Sequence, residues 1–208
     1  YYAPQGWTSD DTDAAERVKI QYGTSMCYPV SSMGSHVSVV PNHQLNRKTP
    51  LHTRANVAYF GTFGYELDLN KLSYEEISEV KQQIAFMKEY RELIQFGTFY
   101  RLKSPFEGNE TAWMTVSEDK KTALVFWYRE RNVVNADFTR VRLQGLDPDL
   151  IYRNEYNETE NYGDELMNLG LLTTDCTAGE PTSEDAPCTD YESRIYVLTT
   201  VARIPSPL

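Results

Sequence analysis

The sequence is short of positive charge, of histidine and cysteine, and of long apolar runs. It carries 20 Lys and Arg against 30 Asp and Glu, a formal net charge of -10. Polyanions are repelled by such a surface, which argues against nucleic acid or an anionic membrane as the main partner. No stretch approaches the roughly 20 apolar residues of a membrane helix, and no signal-peptide pattern is present. The 3 His and 3 Cys show no ligand spacing, so neither a metal nor a cofactor is expected. The chain opens on Tyr1-Tyr2 rather than Met and has no internal repeat, which reads as a piece of a longer protein. A neutral ligand such as a carbohydrate meets no charge barrier, and 15 Tyr and 3 Trp suit sugar faces.

The few cysteines divide into a lone Cys27 and a pair, Cys176 and Cys188, around a polar segment that reads as an exposed loop. Cys27 has no obvious base near it in sequence and is expected as a small core residue rather than a nucleophile. A disulfide closing the 176–188 loop would place the chain in an oxidising compartment, and the sequons at Asn109 and Asn157 lean the same way. Cytoplasmic residence is the expectation, with secretion the alternative.

Composition changes near residue 103. Before it, helical and extended segments alternate. Ala14 to Gln21 reads as a helix and Ser25–Val30 as a short extended run. A helix opens at Thr49-Pro50, with the proline suited to its first turn, and Gly61–Asp68 reads as a strand entering a loop. The longest helix has Ser73 as cap with Glu76 as box partner, an apolar stripe from Ile77 through Ile94 at three- and four-residue steps, and Gly97 as stop. Such alternation marks a parallel α/β sheet, and an eightfold barrel needs on the order of 250 residues, so only its last part would fit. After residue 103 the helical period disappears. Strand-like runs at 111–116, 122–128, 137–143, 150–154 and 194–200 suggest an antiparallel sandwich. The expected domains are therefore residues 1–103 and 104–208.

The chemistry is concentrated near the start, in Trp7-Thr-Ser-Asp10-Asp11-Thr-Asp13. Asp13 is placed to cap the first helix, with Glu16 completing the box. Cap duty leaves Asp10 and Asp11 without a structural role. A carboxyl group at the end of a strand, beside a tryptophan, is a setting for acid–base work on a sugar. A calcium loop at Asp10, Asp11 and Asp13 fails on spacing, which wants alternate acids around a central glycine.

Residues 2 to 14, Tyr-Ala-Pro-Gln-Gly-Trp-Thr-Ser-Asp-Asp-Thr-Asp-Ala, resemble the acid/base segment of glycoside hydrolase family 36, the microbial α-galactosidases or melibiases. The likeness continues through Glu16–Ser25, Tyr28–Ser38, Pro41–Gln44, Arg47–Leu51 and Phe60–Asp68, with weaker echoes in Gly163–Gly170 and Ser193–Tyr196. The resemblance implies the last part of a (β/α)8 barrel followed by an antiparallel β-sandwich domain. It implies a retaining α-galactosidase acting on melibiose- and raffinose-type oligosaccharides, without cofactor, commonly as a homotetramer. Asp10 matches the family's general acid/base. Asp11 is expected to orient the loop or tune Asp10, and Trp7 to stack on sugar or pack beside the barrel mouth.

Two features of the family pattern are absent. Neither the Lys-x-Asp-x-Asn segment that carries the nucleophilic Asp nor the Cys-Ser-Gly-Gly stretch that helps to hold galactose occurs in these 208 residues. The Thr173–Tyr191 segment also looks longer than the family needs. Repulsion from Asp11 and the nucleophile, with desolvation by Trp7, is expected to keep Asp10 protonated. Arg17 is expected in a structural ion pair, and His36 and His43 as hydrogen-bonded structural histidines. The rival to catalysis is a carbohydrate-binding or interaction module on the second domain, with Trp113, Trp127 and Tyr128 as stacking faces. Against it, Trp127 and Tyr128 lie inside a continuous apolar run, more like a buried strand.

Overall fold

The computed structural model describes residues 3–133, 138–173 and 190–201. Cys176 and Cys188, and with them the expected disulfide, lie outside the described residues.

The first half runs β1 (Gly6–Trp7), α1 (Ala14–Thr24), β2 (Met33–Ser38), α2 (Leu51–Ala58), β3 (Thr62–Glu66) and α3 (Tyr74–Phe96). The three strands form one parallel sheet in the order β1-β2-β3. Sequence reading misses β2 and places an extended run at Ser25–Val30 instead. That stretch is turns, in which Ser25, Met26, Cys27 and Tyr28 donate their amides back to carbonyls of the last turn of α1. The reason is the chemistry of β2. Met-Gly-Ser-His-Val-Ser has no apolar alternation, yet all six residues are buried, as a central parallel strand requires. Cys27, expected in the core, is exposed on the turn.

Small residues let neighbouring segments approach at this sheet. A Cβ on Gly61 would lie 2.2 Å from Ser35 Oγ and 2.8 Å from the Met33 carbonyl oxygen. Caps set the helix ends. Asp13 accepts from the amides of Ala15 and Glu16, and Ser73 and Glu76 form the reciprocal box of α3. The α3 stripe is buried at Val80, Met87 and Ile94, while Ile84 and Arg91 on the same stripe are exposed.

The second half contains β4 (Thr98–Lys103), β5 (Glu110–Val116), β6 (Thr122–Arg129), β7 (Arg140–Val141), β8 (Ile151–Asn154), β9 (Glu160–Tyr162), α4 (Gly163–Asn168), β10 (Leu171–Leu172) and β11 (Glu192–Thr200). Six of these strands pair antiparallel in the order β4-β5-β6-β11-β8-β9, and β7 pairs with β10. The strand expected over 137–143 contracts to two described residues, and β4, β9, β10 and α4 add to the sequence reading.

Alternation in β5, β6 and β11 gives the large sheet two apolar faces. Trp113, Leu124, Phe126, Tyr128 and Val197 belong to one core with α1, α2, β2 and α3. Ala112, Met114, Val125, Trp127, Tyr196 and Leu198 belong to a second core with β7, α4 and β10. Trp113, Trp127 and Tyr128 are each at most 2% exposed, which removes the stacking faces proposed for a binding module. The first of these faces meets the parallel unit at an aromatic seam, where Trp113 stacks on Phe126 at 4.2 Å and meets the edge of Phe60 at 5.8 Å.

Candidate active site

The carboxyl end of β1 leads into the Thr8–Asp13 loop, which is held from several sides. The Thr8 hydroxyl donates to the Gly34 carbonyl at 3.0 Å. Ser9 Oγ accepts from the Asp11 amide, and Asp11 Oδ1 accepts from the Asp13 amide, each at 3.0 Å. Asn42 Nδ2 donates to Thr12 Oγ1 at 3.1 Å. Asp13 Oδ1 accepts two helix amides and lies 2.5 Å from the Arg47 guanidinium. The Arg47 guanidinium in turn lies over the Tyr191 ring at 5.3 Å, which ties the loop to the start of β11.

Arg17 supplies the central clamp. It is almost fully buried, and it donates to the Ser9 carbonyl at 3.2 Å and the Gly34 carbonyl at 2.7 Å. Sequence reading gives it an ion pair; the guanidinium is instead spent on two backbone carbonyls, joining the loop to β2. Burial pushes its pKa down, and the charges of Asp11 and Glu66 oppose that. A planar group with several fixed donors can satisfy two carbonyls at once, which a lysine cannot.

Asp10 is the exception in this loop. Its neighbours on both sides are bonded, while its own carboxylate is exposed and makes no hydrogen bond or ion pair to the described residues. Asp11, expected to orient the loop or tune Asp10, accepts the Asp13 amide. The three acids do not converge on an ion: Asp13 and Asp11 already accept backbone amides, and Asp13 faces Arg47.

Trp7 is 55% exposed, and one face of its indole stacks on His36 with ring centroids 4.3 Å apart and planes inclined 13°. His36, in β2, has Nε2 2.7 Å from Glu66 Oε2, at the end of β3. The contact lacks hydrogen-bond alignment, so it is one of close approach. Burial lowers the His36 pKa, as does Arg17, against an upward pull from Glu66. His43 is exposed rather than built into the site. Sequence reading does not single out Glu66, Arg47, Ser9 or Asn42. Glu66 alone carried a signal, as an acid at the carboxyl end of a strand reading as parallel.

Residues 1–97 match the melibiase family, and residues 110–198 match the glycosyl hydrolase family 36 C-terminal domain. Alpha-galactosidase AgaA of Geobacillus stearothermophilus is 56% identical over 171 residues, 82% of this chain and 23% of the relative. Alpha-galactosidase Mel36A of Lactobacillus acidophilus is 51% identical over the same shares. Among solved structures, the alpha-galactosidase from Lactobacillus brevis superposes with TM-score 0.90 at 46% identity, covering 100% of this chain and 28% of its own. A variant of the Geobacillus AgaA enzyme in complex with raffinose superposes with TM-score 0.87 at 49% identity, covering 97% of this chain and 26% of its own. The chain thus spans about a quarter of the length of these relatives. The matches succeed one another along the chain, one over the parallel unit and one over the antiparallel sheet, and the chain belongs to glycosyl hydrolase family 36.

Proposed function

We propose that the protein containing this chain is a retaining α-galactosidase that releases terminal α-galactosyl residues from raffinose- and melibiose-type oligosaccharides. Asp10 is its general acid/base. The observation that carries the reading is the free, exposed Asp10 carboxylate on a loop whose other residues are clamped. A proton donor must be held still while its acidic atoms stay open to substrate, and this loop meets both conditions. The relatives named above are α-galactosidases, and one neighbour was solved with raffinose bound.

Retaining cleavage uses two carboxyls about 5–5.5 Å apart. One attacks the anomeric carbon while the other protonates the departing glycosidic oxygen; the second then deprotonates the incoming water. Asp10 takes the second role, and the nucleophilic Asp lies in a part of the protein outside these residues. Asp11 supports Asp10 by fixing the turn into α1, and the free face of Trp7 seats a sugar ring. Transfer of galactose to another sugar is a variant of the same chemistry with a different acceptor.

The finer architecture belongs to the same proposal: residues 1–103 as the last part of a (β/α)8 barrel and residues 104–208 as a β-sandwich domain. Parallel order in β1-β2-β3 and two apolar faces on the large sheet support it. A homotetramer is the proposed assembly, to be tested by light scattering of the whole protein. Cytoplasmic residence is the proposed compartment, in line with the notion that disulfides mark oxidising ones; thiol titration of the native protein tests it, because a 176–188 disulfide would remove two of the thiols.

The test of function is Asp10→Ala in the whole protein, assayed on an activated aryl α-galactoside and on raffinose. Raffinose hydrolysis is expected to fall far more, about 10²–10⁴-fold, because a good leaving group needs little protonation. Azide should restore turnover and yield α-galactosyl azide. Equal losses on both substrates with no azide effect would remove Asp10 from the role.

A further inference from the structure

Trp7, His36 and Glu66 come from three adjacent strands at the same end of the parallel sheet. The register places Trp7 beside Gly34 and His36 beside Gly64, with Glu66 two residues further along β3. The glycine opposite Trp7 leaves room for its ring, since a Cβ on Gly34 would come within 3.4 Å of the indole, and the indole and imidazole lie flat on one another at 4.3 Å and 13°. The His36 side chain is only 5% exposed, and Glu66 reaches it from solvent with a side chain 59% exposed. The groups around the imidazole are Trp7 from β1, Arg17 from α1 and Glu66 from β3.

We infer that His36 is a positioning residue: it fixes the plane of the Trp7 indole, and Glu66 flanks His36 from the next strand. This rests on the α-galactosidase reading for its kinetic consequence but not for its geometry. Trp7 precedes Asp10 by three residues and leaves its outer face exposed, the face on which the proposed function seats a sugar ring. A loose indole would cost ordering free energy each time a sugar bound. Backing it with a buried imidazole removes that cost before binding. The effect falls on substrate affinity rather than on proton transfer, because neither His36 nor Glu66 contacts Asp10 through any hydrogen bond or ion pair among the described residues.

The experiment is a double-mutant cycle in the whole protein with raffinose as substrate, using Trp7→Ala, His36→Ala and their combination. Aromatic pairs of this kind are worth roughly three- to tenfold in an equilibrium constant. His36→Ala is expected to raise KM by that factor with a smaller change in kcat. His36→Phe, which keeps a flat ring, should restore most of the loss, and Glu66→Ala should shift KM in the same direction by less. In the Trp7→Ala background, His36→Ala should add nothing further. Full additivity, or an unchanged KM in His36→Ala, overturns the inference.

Acrylamide quenching of Trp7, taken as the difference from Trp7→Phe, should increase in His36→Ala. Where that variant fails to fold, His36→Phe and Glu66→Ala carry the same comparison: quenching near wild type in the first and raised in the second. A wild-type protein inactive on raffinose and on the aryl galactoside would refute the proposed function alone, since quenching still reads the geometry. Quenching unchanged by loss of the ring refutes the positioning role on its own.

Discussion

His36 is an imidazole kept below its ordinary pKa of 6.5 by burial first, then by Arg17, with Glu66 pulling the other way. A base with a lower pKa in the folded than in the unfolded chain is protonated more readily on unfolding. Below 6.5 the unfolded state therefore binds more protons, and stability falls as pH drops through that value. Whole protein is expected to lose stability between about pH 7 and pH 5, and His36→Phe to lose less. Denaturant midpoints at the two pH values check this; equal losses in the two proteins would exclude His36 as a source. At this scale the cap at Asp13 was legible in local spacing, whereas Asp10 was singled out by the family resemblance of its segment. The sequence did not show the use of Arg17, Arg47 or Glu66. Their partners lie 8 to 34 residues away along the chain or across the sheet, and only the folded register brings them together.

Among the elements, the helices were the most legible and the central strand the least. The capping box at Ser73 and Glu76 and the stop at Gly97 stand in the sequence as read, because capping is a matter of three or four neighbouring residues. β2 has no pattern to read, since its six buried residues are mostly small and polar. What the elements share is the aromatic seam of Phe60, Trp113 and Phe126, which joins α2 and the parallel unit to the large sheet. Trp113→Ala would leave a void on both sides of this joint and is expected to cost about 3–5 kcal/mol. Urea unfolding of the variant against wild type measures it. A loss below about 1 kcal/mol would mean that the seam collapses around the gap and contributes little.

For the whole molecule, the parallel sheet ends at β1 on one side and at β3 on the other, with no further strand paired to either among the described residues. Both edges present unpaired backbone groups, and Tyr74 and Phe96, on the α3 that follows β3, are 84% and 77% exposed. The long antiparallel sheet is different, since both of its faces are covered by cores within the chain. The two halves should therefore behave unequally when residues 1–208 are produced alone. Hydrogen exchange is expected to be slow in β5, β6 and β11, whose amides are laddered on both sides, and fast in β1 and β3. The isolated chain should bind a hydrophobic dye and associate in size-exclusion chromatography, and the whole protein should not. Protection in β3 equal to that in β6 would show that the parallel unit needs no further strand to hold it. The Asp10 loop, built on β1, would then keep its shape without the rest of the protein. Slow exchange confined to the large sheet would instead mean that Asp10 acquires its fixed position only in the whole protein.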